Sequence, residues 1–121
     1  FGENFNQSVD NLPFTITHLF FCWNFNQSVD NLPLSITHIN FGYYFNKSID
    51  NLPSTITHLT FYDFSHFNQS LNNLPSSIEF IKLPSKYENK ILNIPKKLKV
   101  IKCSKNYKNT KDYNGLEMIT Y

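Results

Sequence analysis

Three histidines, His18, His38 and His58, stand twenty residues apart, each closing an Ile-Thr-His tripeptide. If the chain folds back on itself once per interval, the imidazoles form a column with rungs ~4.8 Å apart. Neighbouring imidazoles at that spacing could share a zinc ion, whose bonds to nitrogen are ~2.0–2.1 Å long. The matching positions in the next two copies hold Phe80 and Val100, so no carboxylate or thiolate completes such a site. The residue types favour a solvent-facing column that touches a partner, and its titration near neutral pH would make that contact pH-sensitive. No metal site and no cofactor is expected.

The remaining reactive groups do not assemble a reaction centre. Asp10, Asp30 and Asp50 recur once per interval and read as turn residues. Cys22 and Cys103 lie four copies apart, ~19 Å at one strand spacing per copy, too far for a disulfide. Free thiols suit a reducing compartment, and a cytoplasmic location is expected. The chain has no paired-carboxylate site, no nucleophile beside a histidine, no phosphate-cradling glycine loop and no CxxC, so an enzyme is not expected. No apolar run is long enough to span a membrane, and no charged-then-apolar leader stands at the N-terminus.

The element that must position the histidines is a repeated unit. Phe25-Asn26-Gln27-Ser28-Val29-Asp30-Asn31-Leu32-Pro33, followed by Leu34-Ser35-Ile36-Thr37-His38-Ile39-Asn40-Phe41, recurs in near-verbatim form from Phe5, Phe45 and Phe67, and in worn form from Tyr87. A sequence repeating itself every twenty residues builds a solenoid. The interval is 20 residues except between Phe45 and Phe67, where it is 22. The two extra residues fall within Tyr62-Asp63-Phe64-Ser65-His66, as a bulge in the loop after a strand.

In the second half of each unit, Ile16-x-x-Leu19-x-Phe21, Ile36-x-x-Ile39-x-Phe41, Ile56-x-x-Leu59-x-Phe61, Ile78-x-x-Ile81-x-Leu83 and Leu98-x-x-Ile101-x-Cys103 read as L-x-x-L-x-L. Alternation at its end is that of a strand with one buried face. The first half is too short and too rich in Asn and Pro for a helix. The chain has no Ala and 17 Asn, which also disfavours a helical bundle. Three buried ladders are expected: a spine of Phe5, Phe25, Phe45, Phe67, Tyr87 and Tyr107; Val9, Val29, Ile49, Leu71 and Ile91 with Leu12, Leu32, Leu52, Leu74 and Ile94 beside them; and the strand set. Residues 107–121 read as a shortened capping unit that ends Leu116-x-x-Ile119-x-Tyr121, and residues 1–4 as the tail of a preceding repeat, so that the chain is a fragment of a longer array.

Asn6, Asn26, Asn46 and Asn68 follow the spine aromatics and would satisfy turn backbone as a ladder. Each opens an Asn-x-Ser sequon, which burial in such a ladder would silence.

Outward positions on the strand face change from copy to copy while inward ones barely vary. The expected partner-binding set is His18, Phe20, His38, Asn40, His58, Thr60, Tyr62, Phe80, Lys82 and Lys102, with Phe20, Tyr62 and Phe80 as aromatic anchors. Charge is uneven: one lysine faces five carboxylates through Ile78, and ten lysines face four from Glu79 onward. The basic half reads first as a solvated, solubilising face, next as a site for an acidic protein surface and third for nucleic acid, since the chain has no arginine for bidentate phosphate or guanine contacts.

The unit Phe-Asn-Gln-Ser-[Val/Ile/Leu]-Asp/Asn-Asn-Leu-Pro-x-[Ser/Thr]-Ile-Thr-His-Leu resembles the FNIP (FGxxFN) repeat, a leucine-rich-repeat relative found chiefly in social amoebae and giant viruses of amoebae. The resemblance covers residues 1–83 closely, residues 84–106 loosely and the tail hardly at all. It implies a small arc-shaped solenoid. In many giant-virus members an F-box precedes the repeats, which implies a substrate adaptor that reaches a ubiquitin-ligase scaffold through a region not in this chain.

The expected fold is therefore mainly β, a short leucine-rich-repeat-like solenoid over residues 1–121 with one short parallel strand per 20–22 residues and little or no α-helix. The expected function is binding a protein partner through the concave strand face, in the host cytoplasm if the protein is viral. A structural or assembly repeat is the alternative, and a nucleic-acid-associated factor the third.

Overall fold

Each strand is short because only three or four residues per unit alternate cleanly between an apolar and a polar side. The computed structural model describes all 121 residues and contains six such strands: β1 (His18–Phe20), β2 (His38–Phe41), β3 (His58–Phe61), β4 (Phe80–Lys82), β5 (Val100–Cys103) and β6 (Glu117–Thr120). They form one parallel sheet in chain order. The sole helical element is a 3₁₀ turn, Thr110–Asp112, and no helix is long and apolar enough to cross a membrane. The register is in phase, with His18 opposite His38 and His38 opposite His58, so equivalent side chains stack along the solenoid axis.

Leu-Pro sets the chain direction on the return path. Proline holds its predecessor extended and has no N–H to satisfy. Its carbonyl accepts the N–H of the residue three later, in Ile16→Pro13, Ile36→Pro33, Ile56→Pro53, Ile78→Pro75 and Leu98→Pro95, at 3.0–3.3 Å. The hydroxyls of Ser35, Thr55 and Ser77 then donate to the carbonyls of Ile16, Ile36 and Ile56 in the preceding unit, tying successive turns together.

Aromatic rings fill the interior as two interleaved columns. Phe21, Phe41 and Phe61 come from the strand ends, and Phe5, Phe25, Phe45, Phe67, Tyr87 and Tyr107 from the starts of the units. Where one unit ends and the next begins the two rings lie close, 3.8 Å between centroids for both Phe21–Phe25 and Phe41–Phe45. Between units the spine rings stay 6.0–6.3 Å apart. The two-residue insertion does not disturb the spine: Phe67 stacks on Phe45 at 6.1 Å and 5°. Ser65, fully buried, anchors the bulge by donating to the Gly42 carbonyl and accepting the Phe67 N–H.

Toward the C-terminus the interior gains hydroxyl groups and, with them, new partners. Tyr87 donates to the Gln69 carbonyl and Tyr107 to the Asn89 carbonyl. Tyr113 accepts the Ile91 N–H and meets the Tyr107 hydroxyl at 2.8 Å.

Three expectations are corrected here. The asparagine ladder exists, with the side-chain Oδ1 atoms of Asn6, Asn26 and Asn46 accepting the backbone N–H of Asn26, Asn46 and Asn68, but it runs along the surface. Asn6, Asn46 and Asn68 are exposed and Asn26 is half-buried, so burial does not silence their sequons. The tail is one residue shorter than L-x-x-L-x-aromatic requires. Met118, not Ile119, opposes Ile101, and Ile119 pairs with Lys102 on the outer face. A one-residue slip moves every side chain to the other side of a strand. Finally, Ile94 is 37% exposed instead of packing beside Leu74. The last unit carries no Leu-Pro rung, so no equivalent side chain covers it.

Candidate interaction face

The sheet register stacks the imidazoles face to face. His18 and His38 lie 4.2 Å apart between centroids at 12°, and His38 and His58 4.2 Å apart at 13°. Phe80 closes the column on His58 at 5.7 Å. The preceding threonine orients each ring, with Thr17, Thr37 and Thr57 Oγ1 at 2.9, 2.8 and 2.9 Å from Nδ1 of His18, His38 and His58.

The hydroxyls of Thr37 and Thr57 spend their single proton on the carbonyls of Thr17 and Thr37. Each therefore accepts from the imidazole, which assigns the proton to Nδ1 of His38 and His58 and leaves Nε2 as a free acceptor. Rings stacked face to face aim these Nε2 lone pairs along nearly parallel lines. Two bonds of ~2.0–2.1 Å to one ion require lone pairs that converge, so the column presents a row of separate acceptors rather than a zinc cradle. Partial burial, and then the charges of His58 and His18, hold the His38 pKa below the usual histidine value.

Around the column, Phe20 is 59% exposed, and His38, Asn40, His58 and Thr60 line a recess of about 150 Å³ beside it. Tyr62 is exposed and Phe80 half-buried. The two lysines of the expected set are less free. Lys82 pairs with Asp63 at 2.5 Å, and Lys82 and Lys102 both sit against the ring of Tyr121, 5.6 and 5.7 Å from its centroid. Tyr121 donates to the Leu83 carbonyl at 2.8 Å, and burial, with Asp63 nearby, pushes its hydroxyl pKa up to about 12. The ion pair gives the buried Asp63 Oδ1 its only partner, which explains why that carboxylate tolerates its position.

The structure also assembles aromatic residues that strand periodicity does not single out. At the corner where β1, β2 and β3 turn away from the sheet, Trp23 stacks on Tyr43 at 5.2 Å, and Tyr62 approaches Trp23 at 5.6 Å. His66 packs on Tyr43 at 4.4 Å and edge-on to Tyr44 at 5.7 Å. Trp23, Tyr44, Tyr62 and Phe64 are all exposed. Their signal in the sequence is the chain's single Trp at the unit position that holds Tyr43 in the next copy, together with the one insertion two copies on.

Residues 25–64 match the family model FNIP Repeat. Residues 25–64 are FNIP repeat. The chain is also similar to a solved structure titled "The crystal structure of CroV588 a novel circular LRR protein structure", at 36% identity and a TM-score of 0.76 over 88% of this chain. The chain spans only 17% of that protein's length. No curated protein matches it. The fold is thus a leucine-rich-repeat-like solenoid.

Proposed function

We propose that this FNIP-repeat solenoid is a protein-binding module that engages its partner through the open strand face, with Phe20, Tyr62 and Phe80 as anchors and the stacked column of His18, His38 and His58 beside them, in which His38 and His58 offer acceptors. The observation that carries this reading is the contrast across one strand. Leu19, Ile39, Leu59, Ile81 and Ile101 keep one buried aliphatic type, while the flanking Phe20, Asn40, Thr60, Lys82 and Lys102 differ in every unit but the last two. A surface serving only solubility has no need of an exposed phenylalanine beside a recess. Three C-terminal lysines, Lys82, Lys90 and Lys99, are paired with Asp63, Asp112 and Glu79, which favours a protein partner over a polyphosphate backbone. In a longer chain with an F-box, in the cytoplasm, the same face would hold a substrate for a ubiquitin ligase.

The test is comparative enrichment of host proteins on the immobilised chain. Proteins retained by the wild type should be lost from Phe20→Ala/Tyr62→Ala and kept by Phe14→Ala/Leu34→Ala, which alters the exposed turns leading into β1 and β2. Equal retention by both double variants overturns the face assignment. Ligase scaffold subunits among proteins retained by a full-length form, and not by the repeats alone, would support the adaptor role.

A further inference from the structure

The notch at Gly42 is the one place on the solenoid corner where a unit withdraws its side chain from between two others. A Cβ on Gly42 would lie 2.0 Å from the Cys22 carbonyl oxygen and 2.5 Å from its carbon, so the backbones of the first two units touch there and no side chain fits. The resulting recess, about 170 Å³, is rimmed by Cys22, Trp23, Asn40, Tyr43 and Tyr62. It has room for one aliphatic or small aromatic side chain. The rim rings lean on one another, Trp23 on Tyr43 at 28° and Tyr62 on Trp23 at 47°, instead of standing apart as walls around a cation. Their exposed faces suit an apolar anchor, and Trp and Tyr dominate such contacts.

Charge then gives the ligand a direction. Beyond Tyr62 the outward strand positions are Lys82 and Lys102. Asp63 neutralises Lys82, whereas Lys102 has no carboxylate within ion-pair distance, and Lys105 follows it. From the unit of Gly42 to that of Lys102 is three strand spacings, ~14 Å, which an extended chain covers in about four to five residues.

We propose that this corner binds an extended acidic segment of a protein partner, which seats one apolar side chain in the Gly42 notch and places a carboxylate on Lys102 four to five residues away. This deepens the protein-binding reading above and rests on it.

An unbiased random-peptide display selection against the intact chain tests the proposal. Enriched peptides should share an apolar residue with Asp or Glu four to five positions from it, in either chain direction. Their affinity should fall roughly tenfold or more in Trp23→Ala and again in Lys102→Glu. Unchanged melting temperatures of both variants establish that the loss is local. Peptides enriched without the acidic residue, peptides indifferent to Lys102→Glu, or no enrichment at all overturn the proposal. The retention comparison of Phe20→Ala/Tyr62→Ala uses folded partners and stands or falls independently of the peptides.

Discussion

The ring of His38 lies between those of His18 and His58, 4.2 Å from each, while its Nδ1 is held 2.8 Å from Thr37 Oγ1. Protonating the middle ring places a cation between two stacked imidazoles. Desolvation and those two neighbours keep the folded-state pKa of His38 below its value in the unfolded chain. The unfolded chain therefore takes up this proton first, so stability is fully present above the unfolded-state pKa and is lost as pH falls through the folded one. The melting temperature of the wild type should drop between about pH 7.5 and about pH 5.5 by more than that of His38→Gln. Parallel pH profiles would contradict the coupling. A partner contact made through the acceptor nitrogens should weaken over the same range.

The aromatic spine sets the stability of the whole arc, because each ring touches only its neighbours. Phe45 is fully buried against Phe25, Phe41 and Phe67. Phe45→Ala should cost ~3–5 kcal/mol and lower or split the thermal transition. Phe14→Ala, at a residue 83% exposed, should change stability by less than ~0.5 kcal/mol. An unchanged midpoint for Phe45→Ala would remove the spine from the account.

Gly42 and Gly2 occupy matching positions two units apart yet differ in consequence. A Cβ at Gly42 meets the Cys22 backbone, while one at Gly2 meets nothing within 4 Å. Gly42→Ala should destabilise the fold by ~1–3 kcal/mol or more, and Gly2→Ala should be nearly neutral. Chemical denaturation of the two variants side by side distinguishes a close backbone approach from mere repeat position.

The C-terminal tyrosines make an alkaline limit. Burial raises the hydroxyl pKa of Tyr87, Tyr107 and Tyr121, the last to about 12. A folded-state pKa above the unfolded one gives stability that is complete below the unfolded value and disappears as pH climbs toward the folded one. Unfolding should therefore set in above about pH 10, accompanied by the absorbance of tyrosinate. Tyr107→Phe removes the hydroxyl that joins the Asn89 carbonyl to Tyr113 and should cost ~1–3 kcal/mol at neutral pH.

Most of the fold was legible because duplication displays the inward period repeatedly. Leu19, Ile39 and Leu59 between polar neighbours declare a one-sided strand, and Phe5, Phe25 and Phe45 at equal intervals declare a stack. The tail escaped because its spacing is one residue short, and apolar residues at both Met118 and Ile119 fit either register. The surface course of the asparagine ladder escaped because hydrogen-bonding to the next unit's backbone does not require burial. Trp23, Tyr43, Tyr44, Phe64 and His66 escaped for a different reason. Corner residues follow neither the strand period nor the ladder spacing, and their meeting depends on the bulge that Ser65 anchors. Within the strand-face set, the column of His18, His38 and His58 follows from register alone, whereas the cover that Tyr121 lays over Lys82 and Lys102 depends on the shortened last unit.

The claim that the open strand face is the binding surface is tested most directly by where a partner is caught. A photo-crosslinking benzoylphenylalanine placed singly at Phe20, Tyr62, Phe14 or Leu34 occupies positions that are already exposed and apolar. Irradiation in a cell lysate should yield discrete covalent adducts from Phe20 and Tyr62 and none from Phe14 and Leu34. Adducts from Phe14 and Leu34 with Phe20 and Tyr62 silent would place the interaction on the lead-in turns and contradict the account.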